Sequence, residues 1–420
     1  MSDVTDSQGW SLSRLTKRAG AVVKQAARDV HRATMTHVVI DPIPDVVQVS
    51  YAAVFGWMRS PRAPSSVDVT LGGVPIYSEL HPRSDLQALF PGIYSTGIYA
   101  VIDLAVHREA IERADRRLDV ALTIDGATQH TQSVSVTPEA LVRAAAGPAA
   151  KARKREFVAA HAACPRCGAS LPLPASAASF RCAGCGANFP QQTSALNFVP
   201  DATDVPKLLA TSLFSYSPHE REVIDRVSAA GGMVLDFGAG LRESIEPAVV
   251  NLEIADYPTT DVISAGERLP FVDATFDAVV SLHVLEHVRR PWIAAQEIQR
   301  VLKPGGTAIC TVPFVCAEHG FPDHFFNMTR SGLPSLFEGM TLEQHFIKGD
   351  GAAINGIQQL LSVFYGNLPE PHRTTFAEMK VGEIVNTPLA DLVARDFSVH
   401  LPEEARWKLA AHTTVVLRKT

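Results

Sequence analysis

Cys164-Pro-Arg-Cys167-Gly and Cys182-Ala-Gly-Cys185-Gly are two C-x-x-C-G knuckles separated by 14 residues. Each sets two thiolates on one tight turn, and the glycine that follows, Gly168 or Gly186, admits the positive φ such a turn needs. Two facing knuckles make a tetrahedral four-sulfur site. Zinc fills such a site well, and four protein ligands leave no open position for catalysis. The expectation is a structural zinc ribbon; an iron centre or a redox pair are the other uses of this spacing. A second group of reactive side chains lies farther along: His283 and His287, then His319, Asp323 and His324 within AEHGFPDHFFNMT. Imidazoles near the ends of two apolar strands can act as general bases. His283, His319 and His324 are the candidates, with a structural role as the competing reading for each. Glu286 and His287 read as stabilising a helix start, and Cys310 and Cys316 as buried, inert thiols.

Such groups need a scaffold. Met233-Val-Leu-Asp-Phe237 is a short apolar strand running into Gly238-Ala-Gly240. In a doubly wound sheet, ligands sit outside the carboxyl ends of the strands at the switch point, and glycines let the backbone approach closely. Glu253 follows Asp236 by 17 residues, at the end of the next apolar strand. An acid there can accept both hydroxyls of a ribose. Glu267-Arg-Leu-Pro-Phe271 comes after a third, very short strand, and Thr275–His283 supplies a fourth. An amphipathic helix follows over Trp292–Leu302, Lys303-Pro-Gly-Gly306 ends it, and Thr307–Val312 gives a fifth strand. A lone G-x-G is weak, and the loop lacks the third glycine of a dinucleotide fingerprint.

The ordered series VLDFGAG, ERLPF, FDAVVSLHVLEHV and EIQRVLKPGG resembles class I S-adenosylmethionine-dependent methyltransferases of the large type 11 group, closely over about residues 230–315. The resemblance implies a Rossmann-like seven-stranded methyltransferase sheet, and it implies a cofactor pocket. Asp236, Phe237, Gly238, Ala239 and Gly240 would pack on the methionine portion and ribose. Glu253, with Ile254 beside it, would hold the ribose. Ala265, Gly266 and Glu267 would flank the adenine. Leu282 and His283 would line the methyl-donor pocket. Two departures stand out. The group usually carries Asp where this chain has Ala265, and the segment between Gly240 and Val249 is too short for a regular first helix. Arg242 is then a candidate partner for the methionine carboxylate. A dinucleotide-binding domain and an inactive relative are the competing readings.

The remaining chain divides by pattern. Residues 1–36 hold a basic amphipathic helix, over about 10–33, suited to its own protein or to a membrane surface. Residues 37–137 alternate as short strands, with Gly72-Gly73 and Asp125-Gly126 as hairpin turns, and read as an antiparallel β-sandwich. GWMRSPRAP, VDVTLGG and STGIYAVIDL resemble accessory β-sandwich modules of bacterial glycan-modifying enzymes, which implies a glycan context. Residues 138–161 read as an Ala-rich helical linker with a solvated Lys151–Arg155 face, 162–200 as the ribbon, and 201–420 as the α/β methyltransferase domain. There, residues 351–408 are helical and cap the cleft, and 413–419 form a closing strand.

Charge and composition bound the function. The net charge of −6 argues against a nucleic-acid partner, because phosphate contacts need Lys and Arg. No apolar run of membrane-spanning length and no secretory signal is read, so a cytoplasmic location is expected. The expected function is transfer of a methyl group to a glycan, glycolipid or small-metabolite acceptor, with S-adenosylmethionine as cofactor and structural Zn2+. An RNA methyltransferase and a non-catalytic scaffold are the alternatives. The oligomeric state is not legible.

Overall fold

The computed structural model describes residues 36–41, 43–81, 92–171, 173, 179–191, 195–200, 213–264, 268–320, 323–348 and 351–411. The basic helix expected over 10–33, the adenine-flanking Ala265, Gly266 and Glu267, and the strand expected over 413–419 lie outside the described residues. Two compact units divide the chain. The first is Met1–Val47 with Ala52–Thr137; the second is Gln48–Tyr51 with Pro138–Thr420.

In the first unit the strands are β1 (His37–Ile40), β2 (Val46–Val47), β3 (Tyr51–Ser60), β4 (Val67–Leu71), β5 (Val74–Pro75), β6 (Tyr77–His81), β7 (Tyr94–Asp103), β8 (Arg117–Ile124) and β9 (Ala127–Val136), with a short helix α1 (Arg108–Arg113). They form two sheets, ordered β1-β3-β7-β6 and β2-β9-β8-β4-β5. The expected turns join β4 to β5 and β8 to β9. Gly72 and Gly73 have φ of +57° and +80°, and Asp125 and Gly126 of +48° and +78°, the left-handed pairs that two-residue hairpins require. The short β2 departs from the antiparallel expectation, since it pairs parallel with β9. Alternating burial along β3, with Val54 and Met58 inward, marks the core side of its sheet.

The second unit opens with the 24-residue helix α2 (Pro138–His161). Its basic face is solvated only in part: Arg153 is exposed as expected, but the lysines turn inward. Lys154 is fully buried: its ammonium lies 2.6 Å from Asp261 and donates to the carbonyl of Val249 at 2.9 Å. Lys151 donates to the carbonyls of Pro258 and Thr260. The cluster therefore ties α2 to the sheet, because these ammonium groups meet backbone and carboxylate oxygens that water does not reach.

Next come β10 (Ser179–Arg181), β11 (Asn188–Pro190), β12 (Leu196–Asn197), β13 (Leu213–Phe214), α3 (Pro218–Ala229), β14 (Val234–Phe237), β15 (Leu241–Arg242), β16 (Val249–Glu253), β17 (Val262–Ile263), β18 (Phe276–Leu282), the 3-10 turn Leu285–His287, α4 (Pro291–Val301) and β19 (Leu302–Thr311). The main sheet runs β12-β17-β16-β14-β18-β19, with every pair parallel. Val234, Leu235, Val249, Val250, Val279 and Val280 are all fully buried, as expected of a sheet covered on both faces. Helix α3 covers one face through Val223, Ile224 and Val227. Its start is fixed by a capping box between Ser217 and Glu220, with Pro218 in the first turn. Helix α4 covers the other face through Ala294, Ile298 and Val301. From β14 the chain moves outward to β16 and β17, then returns to β18 and β19 on the opposite side. That reversal places a crevice at the carboxyl ends of β14 and β18.

The described sheet has six strands where seven were expected. Its β12 edge comes from Leu196–Asn197, a segment read as ribbon tail. Between β14 and β16 the short connection holds no helix; it holds β15, which pairs with β13. Beyond β19, helices α5 (Gly332–Ser335), α6 (Ala353–Asn367), α7 (His372–Ala377), α8 (Val381–Asn386), α9 (Leu389–Val393), α10 (Asp396–Val399) and α11 (Glu403–Lys408) bear out the helical reading of this region. No described helix is long and apolar enough to cross a membrane.

Candidate active site and cysteine cluster

The glycine loop, the end of β16 and the segment after β18 meet at the crevice. Gly238 and Gly240 have φ of +72° and +60°, which glycine adopts without strain. A Cβ on Gly238 would stand 2.4 Å from the Val284 side chain, so the loop packs directly against the segment after β18. The amides of Gly238 and Ala239 both donate to the Leu252 carbonyl, which binds the loop to β16. One residue on, Glu253 ends β16. Its Oε2 accepts the Ile254 amide at 2.8 Å. Burial pushes its carboxyl up to about 7, against the opposing effect of the Ile254, Gly240 and Ala255 amides. Ile254 beside it is 39% exposed, an apolar surface next to the acid.

Other residues of the expected pocket have different roles. Asp236 is completely buried and engaged: Arg242 grips both its oxygens at 2.7 and 3.0 Å, and the Tyr216 hydroxyl donates to it at 2.5 Å. The Arg242 guanidinium also lies over the Tyr216 ring, 4.3 Å from its centre. Burial, then the Asp236 charge, holds the Tyr216 phenol well above its ordinary range, which keeps it a donor. Arg242 is therefore committed to Asp236, which corrects its expected role as partner of a methionine carboxylate. The triad fastens β15 to β14 where a first helix would otherwise do so. The Asp236 carboxylate is turned to this triad, and the Phe237 side chain packs in the core.

His283 follows β18 in the left-handed region, φ +57°, and its amide donates to the Thr311 carbonyl of β19. A non-glycine residue held there marks a site over-determined by its surroundings. The ring is exposed, and its Nδ1 is 3.7 Å from Glu286 Oε1. His319 and His324 do come together: their ring centres are 4.3 Å apart, and His287 lies 5.0 and 5.6 Å from them. Burial, then the neighbouring imidazoles, holds His324 below the ordinary histidine range, and its Nδ1 accepts the His319 amide at 3.3 Å. Sequence reasoning undervalued two neighbours. Cys316, read as buried and inert, is partly exposed with its Sγ 3.5 Å from His319 Nδ1. Glu286, read as a helix-start residue, is completely buried, and neither carboxylate oxygen accepts a hydrogen bond among the described residues. Only its position in Leu-Glu-His after an apolar strand could have signalled this. Cys310, also read as buried, is likewise half-buried, and desolvation pushes its thiol up to about 12.

The four knuckle cysteines converge. Cys164 and Cys185 Sγ are 3.7 Å apart, Cys167 and Cys182 3.5 Å, and all four lie within 4.8 Å of one another. Zinc–sulfur bonds of about 2.3 Å in a tetrahedron require sulfurs roughly 3.8 Å apart. The two knuckles are built alike: the amides of Gly168 and Gly186 donate to the backbone carbonyls of Cys164 and Cys182, and φ at the two glycines is +78° and +74°. Phe180, Phe189 and Phe198 pack this module into the core of the main sheet. Ala163 donates to the Pro270 carbonyl, so the module also supports the loop after β17.

Residues 239–310 match the family model described as a methyltransferase domain. An uncharacterized methyltransferase of Mycobacterium avium is 36% identical over 100 residues, covering 20% of this chain and 40% of its own. One from Mycobacteroides abscessus is 37% identical over 83 residues, covering 19% and 32%. The chain thus spans two fifths or less of the length of these curated relatives. Among solved structures, a protein of Bacillus halodurans assigned as a methyltransferase is 18% identical, with a TM-score of 0.22 over 38% of this chain and 92% of that one. A chain from the complex of the Haloferax volcanii activator Trm112 with a methyltransferase is 17% identical, with a TM-score of 0.20 over 28% and 68%. Residues 239–310, from the glycine loop through most of β19, are thus similar to methyltransferase domains, the class of enzymes that use S-adenosylmethionine.

Proposed function

We propose that this protein transfers a methyl group from S-adenosylmethionine to a hydroxyl of a glycolipid or a similar apolar-tailed glycan. One observation carries the reading: the glycine loop, Glu253 and the His283–His287 turn adjoin at the switch point of a parallel sheet. Glu253 would accept the ribose hydroxyls, Gly238 to Gly240 would pass beneath the ligand without a Cβ, and Ile254 would flank the base. Leu282 and His283 would border the methyl-donor end. When bound, the sulfonium supplies an electrophilic methyl, and the protein's task is then chiefly to align the acceptor. His283, whose ring is exposed beside that end, is placed to take the acceptor's proton.

The apolar preference rests on α6 and the segment after β19. Ile354, Ile357, Leu361 and Tyr365 recur at helical spacing and are all exposed, as are Phe314 and Val315. Gly356 of α6 abuts Val315, so these exposed groups adjoin the segment carrying the histidines. Structural zinc in the four-cysteine cluster belongs to the same reading, since the sulfur spacing suits it. The resemblance of the first unit to glycan-associated modules supports a glycan as the class of acceptor.

A test is incubation of the full chain with methyl-labelled S-adenosylmethionine and separated lipid, glycan and RNA fractions. Label in the glycolipid fraction is the expected result; label in RNA would refute this acceptor class. One structural fact favours a second reading, a binding scaffold without catalysis: Asp236 is spent on Arg242, and no helix follows the glycine loop. Enzyme-dependent turnover with any fraction would eliminate that reading.

A further inference from the structure

Glu286 is a buried carboxylate with no hydrogen-bond donor among the described residues. Burying an ionised group without a partner is expensive, and proteins resolve this with a cation or a metal. The nearest basic groups, His283 Nδ1 at 3.7 Å and His287 Nε2 at 3.9 Å, stand outside hydrogen-bonding reach. We propose that Glu286, His287 and His319 bind a divalent transition-metal ion, zinc being the best match, beside the methyl-acceptor position. This rests on the methyltransferase reading only for the metal's role, not for its binding.

The geometry supports the donor set. One ligand atom from each of the three residues lies within 4.8 Å of the others. His287 Nδ1 is 2.7 Å from the Asp323 carbonyl, and His319 Nδ1 is 3.1 Å from that of Ala317. A carbonyl partner puts the proton on Nδ1, an assignment made from the hydrogen-bond pattern, and leaves the Nε2 lone pair for a ligand. Metal-binding histidines are typically held this way, with the second nitrogen on a carbonyl. Two imidazoles and one carboxylate form a donor set that suits zinc or iron and leaves positions open. Ligands at about 2.0–2.1 Å in a tetrahedron stand roughly 3.4 Å apart, so metal binding would draw these atoms in from separations of up to 4.8 Å. His324 Nδ1 accepts the His319 amide at 3.3 Å, so the His324 proton sits on Nε2 and this ring supports His319 rather than offering a ligand.

The open positions specify the acceptor. A metal here would hold an oxygen of the acceptor and lower the pKa of a bound hydroxyl. That favours hydroxyls with a neighbouring oxygen, such as vicinal diols of a sugar or an aromatic diol.

The test uses the full chain, stripped with chelator, reloaded with zinc or cobalt and measured for bound metal. Binding of S-adenosylhomocysteine is followed in parallel. The cysteine cluster takes one equivalent of its own, recognised with cobalt by thiolate charge-transfer absorption. Wild type should hold one further equivalent that gives a weaker visible cobalt band without thiolate character. Glu286→Gln and, as a surface variant with little risk to folding, His319→Ala should each lose that equivalent or bind it more than about 100-fold more weakly, exceeding the usual cost of losing a supporting contact. Full retention of the extra equivalent in both variants, or its absence in wild type, overturns the proposal. Metal absent with homocysteine-analogue binding intact would sink this site alone; metal present with that binding absent would instead sink the methyltransferase reading.

Discussion

Glu253 offers a quantitative test of the cofactor reading. Its carboxyl is pushed up to about 7 by burial at the end of β16. Two ribose hydroxyls need an ionised acceptor to donate to, so only the carboxylate form should bind well. Dissociation constants should then scale with 1 + 10^(pKa − pH). With the pKa at about 7, that factor rises from about 1.1 at pH 8 to about 11 at pH 6, a tenfold loss worth about 1.4 kcal/mol. Glu253→Gln keeps one acceptor but loses the charge, so at pH 8 it should bind about 10–100-fold more weakly, the usual value of hydrogen bonds to a charged group. Its affinity should be flat from pH 6 to 8, so its gap from wild type should narrow about tenfold at pH 6. Calorimetric titration with S-adenosylhomocysteine at several pH values reads both effects. A wild-type affinity independent of pH, or a slope retained in Glu253→Gln, would refute the assignment. In the ligand-free protein the sign reverses. The folded state holds this proton more tightly than the unfolded state does, so Glu253 costs stability as pH rises from the unfolded value of about 4.5 through about 7.

Three further outcomes follow. Lys154→Ala should destabilise the second unit by about 3–5 kcal/mol in denaturant melts, because it leaves Asp261 buried without its cation; adding Asp261→Asn should recover part of that loss. Gly238→Ala should cost roughly 1–3 kcal/mol through its φ of +72° and its collision with Val284, and should weaken cofactor binding as well. On the proposed zinc reading, Cys167→Ser should lower the metal content by one equivalent per chain and lower the melting temperature of the second unit, since that module shares a core with the main sheet.

The sequence exposed those features whose chemistry is local. The C-x-x-C-G knuckles, the strand running into Gly238 and the acid at Glu253 each depend on spacing within a few residues, and each stands where spacing placed it. The short segment after Gly240 was legible as a missing helix. Its replacement was not: Arg242 reaches Asp236 across six positions, but nothing local indicates that Tyr216 completes the triad from outside the glycine loop. Lys154 is harder still, because it pairs with Asp261 over 107 residues and looks like any basic residue of an exposed helix. β12 escaped notice because a two-residue strand carries no periodicity of its own. Glu286 was misread because a carboxylate at a helix start is common; its lack of donors emerges only when Phe325 and Phe326 bond its backbone carbonyl and close over it.

The central claim is that the crevice at the carboxyl ends of β14 and β18 is an adenosylmethionine pocket. Calorimetric titration of S-adenosylhomocysteine into the full chain at pH 8 tests it most directly. Saturable binding at one site per chain is expected, with loss of that heat in Gly238→Arg and the fold intact by circular dichroism. A folded wild-type chain that shows no saturable binding would contradict it.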